Sequence, residues 1–143
     1  MALARLYEAT GEEKYLKLGL YFINERGKRP YYFDEERSSK PEDQDKTEDR
    51  DKTENQDELR YQYQQAHLPV REQTEAVGHA VRAAYLYSGM ADFARFTQDD
   101  SLKEACERLW DDIVQRKMYI TGGIGGTHIG EAFSFAYDLP NDT

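Results

Sequence analysis

Shifting the chain against itself so that Thr10 falls on Thr97 lays one helix-turn-helix pattern over a second. Leu3 then falls on Met90, Leu6 on Phe93, Tyr15 on Leu102, Leu18 on Ala105 and Phe22 on Leu109. This repeat limits the fold more than any single motif does. A lone helical hairpin cannot bury its apolar face, so repeated hairpins stack side by side into a solenoid or an α/α toroid. The fold class expected is all-α.

The local signals agree. Residues 1–33 read as one helical hairpin broken at Thr10-Gly11, with Leu3, Leu6 and Tyr7 on one face of its first helix. Tyr15, Leu18 and Phe22 are expected on the buried face of its second, and Gly27 and Pro30 supply the stop. Tyr31, Tyr32 and Phe33 follow as an aromatic cluster. Residues 61–143 read as a further helical part. A long helix is expected from Pro69 to about Phe96, with Val77, Ala80, Val81 and Ala84 on one face. Asp99, Asp100 and Ser101 offer caps for another helix, whose buried stripe is Leu102, Ala105, Leu109 and Ile113.

A mean hydropathy of −0.93 would suggest disorder if the polarity were evenly spread. It is not. Residues 34–60 hold 12 acidic and 6 basic residues, so −6 of the net −9 lies there, and DKTE occurs twice, at 45–48 and 51–54. That segment reads as a solvated, mobile loop, with a charged exposed helix as the alternative over part of it. An acidic chain of pI about 4.8 lacks the basic footprint of nucleic-acid binders, and anionic membrane surfaces are disfavoured for the same reason. Neither a membrane-length apolar run nor a secretory pattern is visible, and the single Cys106 fits a reducing compartment, so a cytoplasmic protein is expected.

Two constellations carry possible chemistry. In ITGGIGGTHIGEAFSFAYDLPNDT, residues 120–143, four glycines precede His128 and Glu131. The loop lacks the Gly-Lys-Ser/Thr ending of a phosphate loop, so a nucleotide site is a poor reading. Ala132, Phe133 and Phe135 beside Glu131 would desolvate its carboxyl, as a general acid near neutral pH requires. A surface glutamate is the equal alternative. In HLPVREQTEAVGHAVRA, residues 67–83, Glu75 and His79 would share a helical face, as would Arg71 and Glu75. A metal pair there lacks a third ligand, and a polar helix interface is the simpler account. Arg71 would hold a substrate hydroxyl or pair with Glu75. Cys106, beside an apolar stripe, reads as packing rather than as a nucleophile. The Tyr and Phe residues of the helices read as core rather than as sugar platforms, and those near the glycine loop, such as Tyr119 and Tyr137, are the candidates to line a site.

Residues 67–83 and 117–143, the latter KMYITGGIGGTHIGEAFSFAYDLPNDT, closely resemble two blocks of glycoside hydrolase family 127, the β-L-arabinofuranosidases, and SLKEACERLWDDIVQRKMYITGGIG is similar to the same family. The resemblance implies a partial (α/α)6 barrel, with the active-site loop at 121–131, in a retaining enzyme that releases β-L-arabinofuranose from glycans. It implies Glu131 as general acid/base, His79 in the sugar subsite and His128 facing the same site. The family's cysteine nucleophile and zinc ligands, one glutamate and three cysteines, would belong to segments after Thr143, and Cys106 matches none of them. Zinc is thus expected in the full-length enzyme but bound by no residue here. The isolated chain is expected to be inactive, and its exposed barrel faces to favour self-association. The acidic segment 38–60 departs from the family pattern. The alternatives are a non-catalytic remnant that keeps a sugar-facing groove, or a related α/α-barrel hydrolase or lyase acting on another sugar.

Overall fold

The computed structural model describes residues 1–32, 34–35 and 50–141. Its α-helices are α1 (Ala2–Thr10), α2 (Glu13–Glu25), α3 (Arg50–Tyr63), α4 (Ala80–Thr97) and α5 (Asp100–Asp112). One π turn, Ile113–Lys117, prolongs α5. Among the described residues there are no strands, only isolated bridges, and no helix is long and apolar enough to cross a membrane.

The expected turn chemistry is present. Gly11 caps α1 in the left-handed region at φ 70, its N–H bonded to the Tyr7 carbonyl. Asp99 caps α5, its carboxylate accepting the Leu102 N–H at 3.0 Å. Helices α1/α2 and α4/α5 form two hairpins, and the first lies against α4. The repeat shows directly in their contact. Arg5 reaches Asp92 at 3.4 Å and Arg95 reaches Glu8 at 3.1 Å, each pair 87 residues apart. Equivalent positions of the two copies therefore stand side by side, with α1 and α4 parallel and in register. The Tyr7 and Phe96 rings meet edge-on at 5.2 Å.

The main core joins Ala4, Ile23, Met90, Phe93, Leu102 and Leu109, with Leu3, Leu16 and Leu20 packed on it. Each fully buried large side chain there contributes roughly 1.5–3 kcal/mol over an exposed one. The stripe expected on α5 is buried: Leu102, Ala105 and Leu109 completely, Ile113 nearly so. Two expected faces are corrected. On α2, Gly19 and Ile23 turn inward while Leu18 and Phe22 stay exposed. A Cβ on Gly19 would lie 2.0 Å from the Phe93 ring, so the closest helix approach is through the glycine and sets which side of α2 faces in. On α4, Ala80 and Ala83 are buried, while Val81 and Ala84 are exposed.

Two further expectations change. Over 50–60 the acidic stretch is helical, part of α3, as the alternative reading allowed. Its last turn is anchored by Tyr61, which stacks on Tyr31 at 4.0 Å and donates to the Asp34 carboxylate at 2.6 Å, beside an Arg60–Asp34 pair also at 2.6 Å. Residues 36–49, with the first DKTE, and Phe33 lie outside the described residues. The long helix expected from Pro69 begins only at Ala80, and residues 64–79 are an irregular strap. Gly78 sits at φ 73, and a Cβ there would come within 2.1 Å of the Gln62 carbonyl. Polar side chains from elsewhere bind backbone groups of the strap, which replaces helical bonding with tertiary bonding.

Candidate active site

The two motif blocks meet at the N-terminus of α4. His79 is its N-cap residue. The glycine loop returns over it. Ala132 bridges to both His79 and Thr127, and the Phe133 N–H donates to the Gly78 carbonyl at 2.8 Å. The loop can approach so closely because Gly125, at φ 87, lies where a Cβ would stand 3.2 Å from the Ala80 Cβ. Glu131 itself takes φ 51, unusual for a residue with a side chain. His79 Nε2 lies 3.3 Å from Glu131 Oε2. The His79 side chain is 13% exposed and that of Glu131 81% exposed. His79 Nδ1 is buried and has no hydrogen-bond partner among the described residues.

Tyr63, which the sequence did not single out, completes the corner. Its ring meets His79 edge-on at 5.6 Å, and a Cβ on Gly130 would lie 3.0 Å from it. The Arg82 guanidinium stands over its outer face at 5.2 Å.

Several expected partners are elsewhere. Glu131 is not desolvated by its neighbours: Phe133 points into the core, while Phe135 and the carboxylate face solvent. His128 is exposed, and its side chain makes no hydrogen bond or ion pair among the described residues. Glu75 does not share a helical face with His79, because no helix exists there. Its carboxylate is held at 2.7 Å by Lys117. Arg71 pairs with neither Glu75 nor the site. It donates to Asp99 and Asn24, both at 2.6 Å, and to Ser101 at 2.9 Å, stapling the strap to α2 and α5. The Arg71 bond, with those from the Ser101 hydroxyl and the Leu102 N–H, holds the Asp99 carboxyl well down, at about 2. Tyr119 bonds the Pro140 carbonyl at 2.8 Å, and Tyr137 is exposed at φ 66.

No group of three or more His, Cys, Asp or Glu able to hold a metal ion exists among the described residues. Cys106 lines an apolar groove of about 790 Å³ with Trp110 and Ile124, and burial pushes its thiol up, the opposite of an activated nucleophile.

The comparisons agree with one another. Residues 1–143 match the family model described as Beta-L-arabinofuranosidase, GH127 catalytic domain. A non-reducing end β-L-arabinofuranosidase of Bifidobacterium longum subsp. longum is 43% identical over 143 residues, all of this chain and 21% of that enzyme. A solved GH127 β-L-arabinofuranosidase from Geobacillus stearothermophilus T6 superposes with a TM-score of 0.82 at 50% identity, over 99% of this chain and 21% of that one. A solved GH127 β-arabinofuranosidase gives 0.73 at 46% identity, over 99% of this chain and 18% of its own. The chain thus spans about a fifth of these relatives. Its stacked hairpins are a partial piece of an (α/α)6 barrel.

Proposed function

Because this chain belongs to glycoside hydrolase family 127, we propose that it forms the acid/base side of the sugar site of a retaining β-L-arabinofuranosidase. Glu131 protonates the departing glycosidic oxygen and later takes a proton from the attacking water. His79 binds the furanose, and its Nε2 aligns the Glu131 carboxylate. His128, exposed three residues before Glu131, faces an incoming glycan. The observation that carries this reading is the 3.3 Å contact between His79 and Glu131, which joins residues 52 apart in the chain at a solvent-open corner.

The zinc ion and cysteine nucleophile implied by the family resemblance do not fit the residues present. The one cysteine is half-buried in an apolar groove and, among the described residues, stands in no cluster of ligands. In this reading both belong to residues outside these 143, and the chain alone does not turn over. One observation favours a non-catalytic reading: Glu131 is too exposed to be desolvated by this chain's own residues.

A graft separates the two readings. Residues 1–143 replace the matching region of the Bifidobacterium enzyme, and hydrolysis of an aryl β-L-arabinofuranoside is followed. Activity in the graft, with His79→Ala raising KM by about tenfold or more, supports the catalytic reading. An inactive but folded graft supports the other.

A further inference from the structure

We infer that Lys117 is a positioning residue for the His79–Glu131 pair, holding the strap that carries His79 against the segment that carries Glu131. The inference rests on the reading above for what the pair does.

Among the described residues four polar or charged side chains are buried: Gln65, Gln73, Asp112 and Lys117. All four bind the backbone of one segment. Gln65 Nε2 lies within 3.3 Å of the Tyr63, Val77 and His79 carbonyls. Gln73 donates to the Gln65 and Leu68 carbonyls at 3.0 and 2.8 Å. Asp112 accepts the Ala76 N–H at 2.9 Å, and Lys117 Nζ donates to the Ala76 carbonyl at 2.8 Å. Both backbone groups of Ala76, three residues before His79, are thus gripped from the end of α5.

Lys117 does more than the others because it is a cation at 3% exposure. Its Nζ is 2.7 Å from Glu75, 3.7 Å from Asp112 and 5.9 Å from the centre of the Phe133 ring. Removing an ammonium from water is unfavourable unless charge and hydrogen bonds replace the lost solvation, and here two carboxylates, a carbonyl and a ring face do so. Phe133 lies two residues after Glu131, and its N–H bonds Gly78. One ammonium therefore bonds the strap ahead of His79 and stands over the Phe133 ring, 5.9 Å from its centre, on the segment behind Glu131. Apolar packing alone would hold the core together. It would not set the distance between two side chains on separate segments.

The test reads the pair itself in the full chain. Glu131→Gln shifts the His79 ring resonances in ¹H–¹³C NMR spectra, and the size of that shift measures how closely the two side chains are held. In a Lys117→Met background, with the fold checked by circular dichroism, the response is expected to fall at least twofold. Glu75→Gln, at a half-exposed position that leaves the core intact, is expected to lower it by a smaller measurable fraction. A full response in folded Lys117→Met overturns the proposal. If that variant does not fold, a full response in Glu75→Gln overturns it instead. Turnover is not the readout, so a misassigned Glu131 role leaves the NMR response intact, while a misassigned Lys117 leaves it insensitive to Lys117.

Discussion

Replacing Asp99 should cost stability in a way that depends on pH, and the structure sets the amount. Its Oδ2 takes the Arg71 guanidinium at 2.6 Å, and its Oδ1 takes the Ser101 hydroxyl and the Leu102 N–H. The Arg71 bond is the largest cause of a fall from the ordinary 3.8 to about 2. At about 1.4 kcal/mol per pH unit that fall is worth about 2.5 kcal/mol. With 26% of the side chain exposed, solvent screening reduces it to about 1.5 kcal/mol. Because the folded value lies below the unfolded one, the contribution is complete above pH 3.8 and is lost as the pH falls through about 2. Asp99→Asn keeps a cap acceptor and loses the charge, so urea unfolding at pH 7 should show a loss of about 1.5 kcal/mol, shrinking to about half at pH 3. Asp99→Ala should lose about 1 kcal/mol more at either pH, the worth of the cap. A gap between native and Asn variant that stays constant from pH 7 to pH 3 would refute the argument.

Gly78→Ala forces a Cβ into the Gln62 carbonyl at a left-handed φ, and should destabilise the chain by about 2–4 kcal/mol in urea unfolding; a change under 1 kcal/mol would contradict the strap geometry. Leu109→Ala, at a position with no exposure, should cost about 3 kcal/mol, with the same denaturation as the check. Cys106, its thiol raised by burial, should react with iodoacetamide at pH 8 several-fold more slowly than free cysteine; an equal rate would mean that the groove does not shield it.

What the sequence made legible was local. The breaks at Gly11 and Gly27, the Asp99 cap and the α5 stripe depend on residues a few positions apart, and each was readable as spacing. The repeat was readable too, and the Arg5–Asp92 and Glu8–Arg95 contacts show why: parallel neighbours in register keep equivalent residues adjacent. The errors lie where distant residues decide. The apolar spacing of Val77, Ala80 and Ala84 runs unbroken through Gly78 and predicts a helix where Asp112 and Lys117, 36 and 41 residues from Ala76, pull the backbone into a strap. The face of α2 is not legible from its own spacing because Phe93, from the other hairpin, selects it through Gly19. In the site, glutamate and histidine were legible as residue types within family-like blocks. Tyr63, Gln65 and Lys117 were not, because each acts across the fold.

Leaving-group dependence tests most directly the proposed role of Glu131 as the proton donor to the leaving group. In the grafted enzyme, Glu131→Gln should lower kcat/KM by about 10²–10⁴-fold for an aryl β-L-arabinofuranoside with a poorly acidic phenol, and far less for one with a strongly acidic dinitrophenol that needs no proton. Equal losses on both substrates, or none on either, would contradict the assignment.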